Sequence, residues 1–520
     1  MSLQTYCWIF MIMYTGVMIW FGILGQRKVK SADDFATARH SYGPWFLALA
    51  FTSTVASGAT FLGIPGLAYT FGLSGMWIMF CYPLGAYTGV LICQKTVARA
   101  GETFGSRSIP EYLGERYNSE GMRVVAALFS LILLFYMAGQ LVSGVVMFET
   151  MLGLSLPWAL GITTVVLAVY VVLGGAHADM MTDALQGFLM LVLAVLLLVM
   201  FLTGFGLEDG GVTNVVERMN AVDPETTNVL YKDSPVVGEW WHIFALLFVH
   251  VPLGLMPHVG NKLWALKNEA DRGRFIKIAF TFGLILPCMA FGGMLARALF
   301  GDDLFSSNAG ANNAVPELFI AVFPTWLAAL LGIGILAAIM STADGLVIAM
   351  SQVVANDLYR LTFAPKIHAD KSIEDIDRIT LKISRVATVC VLAASVALAY
   401  ATQNMNISLL VALGFGGLSA ALWGPLVLGV MWRGLTATGA LAGFITGAIT
   451  FVILAGGFVI ASGAEGSALY AVTGWLERQT PNAFSVGALG GVLCVLMCVL
   501  VSKLTRPLGE DHLKRVFDPA

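Results

Sequence analysis

The chain has 520 residues, of which 58% are hydrophobic and 12% are charged, and its formal net charge is -3. Soluble proteins carry about 25% charged residues, so this composition excludes a water-soluble globule. The chain also lacks a basic stripe with interleaved aromatic residues, which argues against nucleic acid as a partner. We expect an all-α polytopic protein whose main partner is the lipid bilayer.

Apolar blocks of about 20 residues, long enough to cross about 30 Å of hydrocarbon, recur along the chain. The first block, Thr5 to Leu24, is followed by Arg27 and Lys28 and lacks the positive start of a signal peptide, so it is predicted to be a true span. In chain order, the blocks predict about thirteen transmembrane helices near residues 5–24, 45–70, 74–96, 122–150, 156–174, 183–205, 240–262, 275–300, 318–355, 386–402, 407–432, 437–461 and 484–504.

The distribution of basic residues predicts the orientation of these helices. If alternate loops are assigned to the cytoplasm, the cytoplasmic set holds 25 of the 29 Lys and Arg residues, all except Arg218, Lys232, Arg297 and Arg478. This positive-inside bias predicts an N-terminus outside and a C-terminus in the cytoplasm. The short loops suggest a bacterial plasma membrane.

Two predicted spans are interrupted by glycine and proline, at residues 57–66 and 251–258. Paired broken helices at matching positions indicate a transporter built from inverted repeats, with its site at the breaks. We therefore divide the chain into a first helix with its loop (1–40), a first five-helix repeat (41–205), an acidic outside loop (206–239), a second five-helix repeat (240–432), two further helices (433–505) and a cytoplasmic tail (506–520).

Hydroxyl groups near the first break are candidate sodium ligands. A hydroxyl-rich run, residues 52–57, precedes the break, and Ser341 and Thr342 lie in the ninth predicted span. Sodium binds about five or six oxygen atoms, and neutral hydroxyl and carbonyl oxygens let it bind and leave. The alternative is that these hydroxyls bond to their own helices.

Two carboxylates, Asp183 and Asp344, fall inside predicted spans, where charge is costly unless it serves a function. If they lie close together, they would form a second cation site or a proton relay. Asp183 could instead cap its helix at the membrane surface. The middle of the predicted spans holds no lysine or arginine.

Three further polar residues are candidates for solute binding. Tyr136 and Gln140 lie one turn apart on the fourth span and share a helix face. His258 follows Pro257 at the second break. Interhelical packing is the alternative for Tyr136 and Gln140. For His258, which could bond to a carboxylate or sense pH, the alternative is a histidine that only satisfies the helix break.

Enzyme signatures are missing, including a phosphate-binding lysine loop and the His-Glu-x-x-His zinc motif. We therefore expect no enzyme activity and no organic cofactor. Without a motif for ATP hydrolysis, transport would draw on an ion or solute gradient.

Four stretches together resemble the sodium:solute symporter family, which includes bacterial proline and pantothenate permeases and animal glucose and monocarboxylate cotransporters. The resemblance covers roughly residues 5–505, and its stretches are Ser41 to Pro44 continuing into Gly63 to Gly66, Gly174-Gly175 with Thr182 to Gly187, Ala337 to Thr342, and Gly414 to Gly417.

The resemblance implies the five-plus-five inverted repeat of the leucine-transporter group, preceded by one helix and followed by two. It also implies a sodium-linked role for Asp183. The family's main sodium site would map onto backbone oxygens of Ser53, Ala56 and Ala338 and the hydroxyls of Ser341 and Thr342.

Departures from the proline permeases concern the expected solute site. Those permeases carry an aspartate where this chain has Val55, and aromatic residues where it has Val249 and Leu253. The second break and Gln140 look more like the pantothenate and monocarboxylate branch. Gly345 and Leu346 occupy positions where some members carry extra serines for a second sodium.

The expected function is sodium-coupled symport of a small organic solute by alternating access, most simply a monocarboxylate or a pantothenate-like acid. A proton-coupled carrier, or a sodium symporter of a neutral or zwitterionic solute such as an amino acid or a sugar, are the alternatives. The predicted solute contacts are Thr54, Ser57, Tyr136, Gln140, Leu253, Pro257 and His258.

Overall fold

The computed structural model describes residues 1–29, 32–306 and 310–518. Within these ranges the chain is helical, and its β pairing is limited to one bridge between Tyr42 and Leu266. The expectation of an all-α membrane protein is confirmed.

The helices at the thirteen predicted spans are, in chain order, Leu3–Lys28; Pro44–Val55 with Ala59–Gly63 and Ile64–Phe71; Met76–Phe104; Glu120–Ser130 with Leu133–Leu152; Leu156–Thr203, which covers the fifth and sixth spans; Trp240–Leu255 with Pro257–Trp264; Arg272–Ile285 with Ala290–Phe300; Thr325–Gln352; Ile373–Thr402; Ile407–Leu422; Ala437–Ala455; and Ala483–Leu504. Shorter helices lie between and after them at Ala32–Thr37, Ile109–Tyr117, Gly211–Val222, Ala314–Val322, Ala468–Gln479 and Glu510–Phe517.

Among the described residues, fewer helices than the thirteen predicted are long and apolar enough to cross a membrane. In the described ranges, ten helices are long and apolar enough to cross a bilayer, or eleven when one bent pair counts as a single span. Shorter apolar helices, Pro44–Val55 and Leu156–Val166, fall below that length. The count of thirteen therefore stays a prediction.

The first broken span, Pro44–Val55 continuing through Ala59–Gly63 to Ile64–Phe71, opens just after Val55. Ala56 has extended backbone angles (φ -88°, ψ 121°), so the helix stops there. The chain then re-enters a helix through one π turn, Ala59–Gly63. Pro65 lies in the first turn of the second half, Ile64–Phe71. Proline fits there because the first N–H groups of a helix have no helical partner.

The second broken span, Trp240–Leu255 with Pro257–Trp264, bends by 46° at its break. Met256 is extended (φ -63°, ψ 157°), because the ring of Pro257 disfavours helical geometry in the residue before it. Each predicted break is thus a real interruption of a helix.

The loop predicted between residues 174 and 183 is wrong. The range Leu156–Thr203 consists of two helices that meet at a kink at Gly175, whose φ of +52° suits only glycine. A Cβ atom at Gly175 would also lie 2.5 Å from the ring of Phe35. The helix after the kink begins at Gly175, so Asp183 lies about two turns inside it rather than at its start.

The ninth span, Thr325–Gln352, forms the centre of the bundle, and every residue from Ile335 to Gln352 is buried. It packs against the first span, against Leu133–Leu152 and against Leu156–Thr203. Large apolar side chains such as Trp20, Phe188 and Leu500 are exposed on the outside. An apolar exterior around a buried polar interior is what a bilayer as solvent requires.

Candidate sodium and solute sites

Oxygen atoms from the ninth span meet the first broken span deep in the bundle. The Ser341 hydroxyl lies 3.0 Å from the carbonyl oxygen of Ser53 and 3.1 Å from that of Ala338. All three residues are fully buried. The structure therefore brings together three of the five predicted sodium ligands through one serine.

The neighbouring residue, Thr342, contacts the remaining predicted ligand, the carbonyl of Ala56. The Thr342 hydroxyl lies 3.3 Å from the carbonyl oxygen of Ala56 and 3.1 Å from that of Thr54. The Thr54 carbonyl is an addition to the predicted set. We call the hydroxyls of Ser341 and Thr342 with these four carbonyls the oxygen cage.

The cage exists because the break leaves carbonyl groups without their helical partners. The Ser57 N–H donates to the Thr60 hydroxyl at 3.3 Å, and the Gly58 N–H donates to Oε1 of Gln140 at 2.9 Å. In a continuous helix, these two amides would bond to the carbonyls of Ser53 and Thr54. A cage of six neutral oxygens fits the coordination number and the reversible binding of sodium.

Three carboxylates and one ammonium group form a second cluster beside the cage. Lys262 Nζ lies 2.7 Å from Asp179 Oδ2 and 2.5 Å from Asp183 Oδ2. Asp344 completes the set, because oxygen atoms of the three carboxylates lie within 4.8 Å of one another. All four side chains are buried. We call Asp179, Asp183, Asp344 and Lys262 the acid cluster.

The acid cluster corrects two expectations. Lys262, the last residue of the predicted seventh span, was counted with the cytoplasmic basic residues, but it is only 2% exposed and is paired within the bundle. The alternative in which Asp183 caps its helix is also wrong. Asp183 lies inside the helix rather than at its start, and its carboxylate is buried in the bundle, where it accepts hydrogen bonds from Lys262 and Thr54. The predicted approach of Asp183 and Asp344 does occur.

Thr54 connects the cluster with the cage. Its hydroxyl donates to Asp183 Oδ2 at 2.5 Å, while its carbonyl accepts from Thr342. The Thr54 side chain therefore faces the acid cluster, and it does not line the central cavity described next. A cation bound in the cage would be linked to the carboxylate of Asp183 through a single residue, Thr54.

A cavity lies between the two broken spans. Its lining is mainly aliphatic and aromatic, with a few hydroxyl groups and one imidazole, and contains no charged side chain among the described residues. The lining residues are Val55, Ser57, Ala59, Thr60, Ile64, Ile78, Tyr82, Tyr136, His250, Leu253, Ser408, Val411, Phe415 and Phe484.

Three of the seven predicted solute contacts line the central cavity: Ser57, Tyr136 and Leu253. Gln140 lies beside it and holds the backbone of the first break through Gly58.

Pro257 and His258 line a separate cavity whose lining also includes Asp179 and Lys262. The rings of His258 and Tyr136 meet edge to face, with centroids 5.3 Å apart, so a residue of this cavity contacts a residue of the central one.

The residues of these sites that were not predicted from the sequence include Asp179, His250, Lys262, Thr60 and Ser408. Asp179 lies one helical turn before Asp183 and shares its face, a spacing that could have indicated it. Lys262 lies one turn after His258 in the same way. His250 directly precedes the second break, whereas Ser408 is close in space but far in sequence and gave no local signal.

The sequence profile of the sodium:solute symporter family matches residues 35–447, a range that contains the cage, the acid cluster and almost all of the cavity lining. The chain belongs to the sodium:solute symporter family. The predicted membership is confirmed, and with it the expectation of a membrane transporter rather than an enzyme.

Curated relatives in this family include two kinds of symporter. The sodium/proline symporter of Salmonella typhimurium is 29% identical over 95% of this chain and 93% of its own length. The sodium/pantothenate symporter of Escherichia coli is 28% identical over 86% of this chain and 89% of its own length. The two identities differ too little to assign this symporter to either branch.

Among solved structures, a sodium-coupled sialic acid symporter in a substrate-bound outward-open state superimposes with a TM-score of 0.75, at 18% identity, over 97% of this chain and 99% of its own. This likeness shows the shared fold, and it confirms the predicted inverted-repeat transporter architecture. Sodium is the ion that the family co-transports, and a small solute is its cargo.

Proposed function

We propose that this symporter couples inward sodium flow to the uptake of a small organic monocarboxylate, with pantothenate-like acids included. Sodium binds in the oxygen cage, at Ser53, Ala56, Ala338, Ser341 and Thr342. The solute binds in the central cavity against Ser57, Tyr136 and Leu253.

One observation carries the proposal: the two sites share a peptide. The Ala56 carbonyl belongs to the cage, and the next residue, Ser57, lines the cavity. The Ser57 hydroxyl also accepts the Ala59 N–H at 3.2 Å, so the same side chain shapes the break. A cation that orders Ala56 would therefore order the solute site, which is the coupling that symport requires.

The chemistry of the cavity supports a small, partly apolar cargo. Three hydroxyl groups, of Ser57, Thr60 and Ser408, can donate to a carboxylate. Among described residues, the Ser408 hydroxyl has no other partner, although it is buried. The aliphatic and aromatic walls suit the hydrocarbon part of the cargo.

Asp183 and Asp344, with Asp179 and Lys262, form the proposed second cation or proton site. Their carboxylates carry more negative charge than one ammonium group can neutralise, so a further cation or proton would be favoured there. Sodium in the cage and charge in the cluster would act together through Thr54.

Transport would proceed by alternating access, with the breaks at the midplane of a bacterial plasma membrane, the N-terminus outside and the C-terminus in the cytoplasm. Sodium at the first break would favour the outward-facing form, because the cage joins the first repeat to the second. Binding and release would then occur on opposite sides.

Two alternatives rest on specific observations. A proton-coupled carrier is favoured by the acid cluster, whose buried carboxylates are suited to carrying a proton. A zwitterionic cargo is favoured by the similarity to proline symporters and by the lack of charged side chains in the described cavity lining.

The test is uptake of labelled pyruvate, lactate, acetate, pantothenate, proline and glucose into proteoliposomes, under an inward sodium gradient or an inward proton gradient alone. The variant is Ser341→Ala/Thr342→Ala. The matched control is Thr388→Ala/Ser395→Ala, because those hydroxyls bond only to their own helix.

Accumulation of a monocarboxylate that needs sodium, and that is lost only in the cage variant, would support the proposal. Uptake driven by protons alone and insensitive to the cage variant would favour the acid cluster as the coupling site. Sodium-driven uptake of proline or glucose, without any acid, would support the alternative cargo.

A further inference from the structure

His250 is a wall of the central cavity that no motif indicated. It ends the helix Trp240–His250, immediately before the second break, and is 3% exposed. Its ring packs among Tyr82, Phe415 and Phe484, with centroid distances of 5.5, 4.9 and 5.7 Å. This aromatic setting fixes the plane of the imidazole.

The third span holds the backbone of His250 in place. A Cβ atom at Gly85 would lie 2.8 Å from the Cβ atom of His250 and 2.6 Å from the carbonyl oxygen of Leu247. Only glycine allows the two helices to approach this closely. The imidazole is therefore held from its backbone as well as from its ring faces.

One ring nitrogen of His250 has an assigned role. Nδ1 lies 2.5 Å from the carbonyl oxygen of Leu246, and since a carbonyl can only accept, Nδ1 carries the hydrogen. In a neutral imidazole, Nε2 is then an acceptor. No carboxylate lines the cavity among the described residues, so nothing there stabilises a doubly protonated ring.

The other polar groups of the cavity differ from His250. The hydroxyls of Ser57, Thr60, Ser408 and the two tyrosines can rotate to donate or accept. Nε2 of His250 makes no hydrogen bond with a described residue, and in this tautomer it can only accept. A cargo that lies against this imidazole therefore gains a hydrogen bond there only if it offers a donor.

We infer that the solute presents a hydrogen-bond donor, a hydroxyl or an N–H group, to Nε2 of His250. The inference rests on the proposed function in that it places the cargo in the central cavity. It narrows the cargo to small acids that carry such a group, such as hydroxy acids, over acids with a bare hydrocarbon chain. A buried polar group discriminates strongly against an analogue that lacks its partner.

The experiment compares matched pairs that differ by donor groups: lactate with propionate, glycolate with acetate, proline with cyclopentanecarboxylate, and pantothenate with octanoate. Purified full-length protein is titrated with each compound at saturating sodium chloride, and the half-saturating concentration is read from the rise in Tm. For wild type, we expect the donor-bearing member of at least one pair to bind at least about tenfold more tightly.

His250→Phe keeps the ring and removes the acceptor, so the preference should fall to about twofold or less, through weaker binding of the donor-bearing member. His242→Phe is the matched control, since His242 lies on the same helix but bonds to Gln479 and does not line the cavity. It should keep the wild-type preference. A sodium-induced rise in Tm in each variant shows that the fold and the cage are intact.

Equal binding within every pair, a preference for the donor-free members, or no binding by any donor-bearing compound would overturn the inference. A preference that survives in His250→Phe would overturn it as well. A failure of the proposed function would be recognised separately, because uptake would then not require sodium. The ratio of affinities within a pair is measured at fixed sodium and does not depend on coupling.

Discussion

Both broken spans leave backbone carbonyls without their helical partners, and different side chains bond to these carbonyls at the two breaks. At the first break, the freed carbonyls of Ser53 and Thr54 meet the hydroxyls of Ser341 and Thr342. At the second break, two side chains of the eleventh span donate hydrogen bonds to the carbonyls next to the break.

Those partners are Trp423 and Ser419. Trp423 Nε1 donates to the Phe248 carbonyl at 3.0 Å, and the Ser419 hydroxyl donates to the Val249 carbonyl at 2.6 Å. The aromatic rings of Trp423 and Phe248 also stack, with centroids 4.5 Å apart. The first break thus offers several converging oxygens to an ion, while the second is closed by packing and serves the cavity as a wall.

The largest expected effect concerns the acid cluster that supports the first break. Lys262→Met leaves the carboxylates of Asp179 and Asp183 buried without their counter-ion, which should destabilise the protein by about 3–5 kcal/mol. The measurement is the yield and Tm of the purified protein.

Lys232→Met is the control for loss of a lysine, because Lys232 is exposed in the segment 206–239. Its yield and Tm should match wild type. Adding Asp183→Asn to Lys262→Met should restore part of the stability. An unchanged Tm for Lys262→Met alone would mean that the ion pair does not support this region.

The next effect separates the two breaks by function. Thr342→Ala removes a cage hydroxyl that meets two carbonyls, so we expect the sodium concentration for half-maximal uptake to rise at least tenfold, about 1.4 kcal/mol. The measurement is the sodium dependence of uptake in proteoliposomes.

Thr388→Ala removes a similar buried hydroxyl from the tenth span and should leave the sodium dependence as in wild type. If Thr342→Ala and Thr388→Ala gave the same sodium curve, the first break would have no special relation to the ion.

The smallest effect belongs to the second break. Ser419→Ala leaves the Val249 carbonyl without its hydroxyl partner, which should lower the free energy of unfolding by about 1 kcal/mol. The sodium dependence of uptake should not change, because Ser419 is not part of the cage.

Chemical unfolding of the purified protein measures the first quantity, and the proteoliposome assay measures the second. Ser395→Ala, whose hydroxyl bonds to its own helix, should affect neither by a comparable amount. A shift in sodium dependence for Ser419→Ala would show that the two breaks are not separated as described.

Local sequence signals explain which parts were predictable. Hydropathy gives the helices, and glycine and proline give the breaks, because both act over a few neighbouring residues. The hydroxyls of Ser341 and Thr342 could be proposed as ligands because a buried polar pair in an apolar helix requires partners. Their meeting with the first break followed from the repeat and from the family resemblance.

Other features depend on contacts that are remote in sequence. Lys262 was predicted at the end of the seventh span and counted with the cytoplasmic basic residues, and only its approach to Asp179 and Asp183 reveals it as an interior residue. The helix start at Gly175 was not predicted from the sequence, because a kink between two helices and a loop between them have the same local sequence pattern. The direction of the Thr54 hydroxyl likewise depends on which helix packs against it.

The neutrality of both sites has an electrical consequence. The cage ligands are uncharged oxygens and the described cavity lining carries no charge, so neither site cancels the charge of what it carries. With one sodium per cycle, a monocarboxylate would cross without net current, while a zwitterion would move one charge. A membrane potential of about 100 mV contributes roughly 2.3 kcal/mol per charge, or about fiftyfold in accumulation, to the zwitterion alone. The voltage dependence of uptake would therefore report the charge of the cargo before its identity is known.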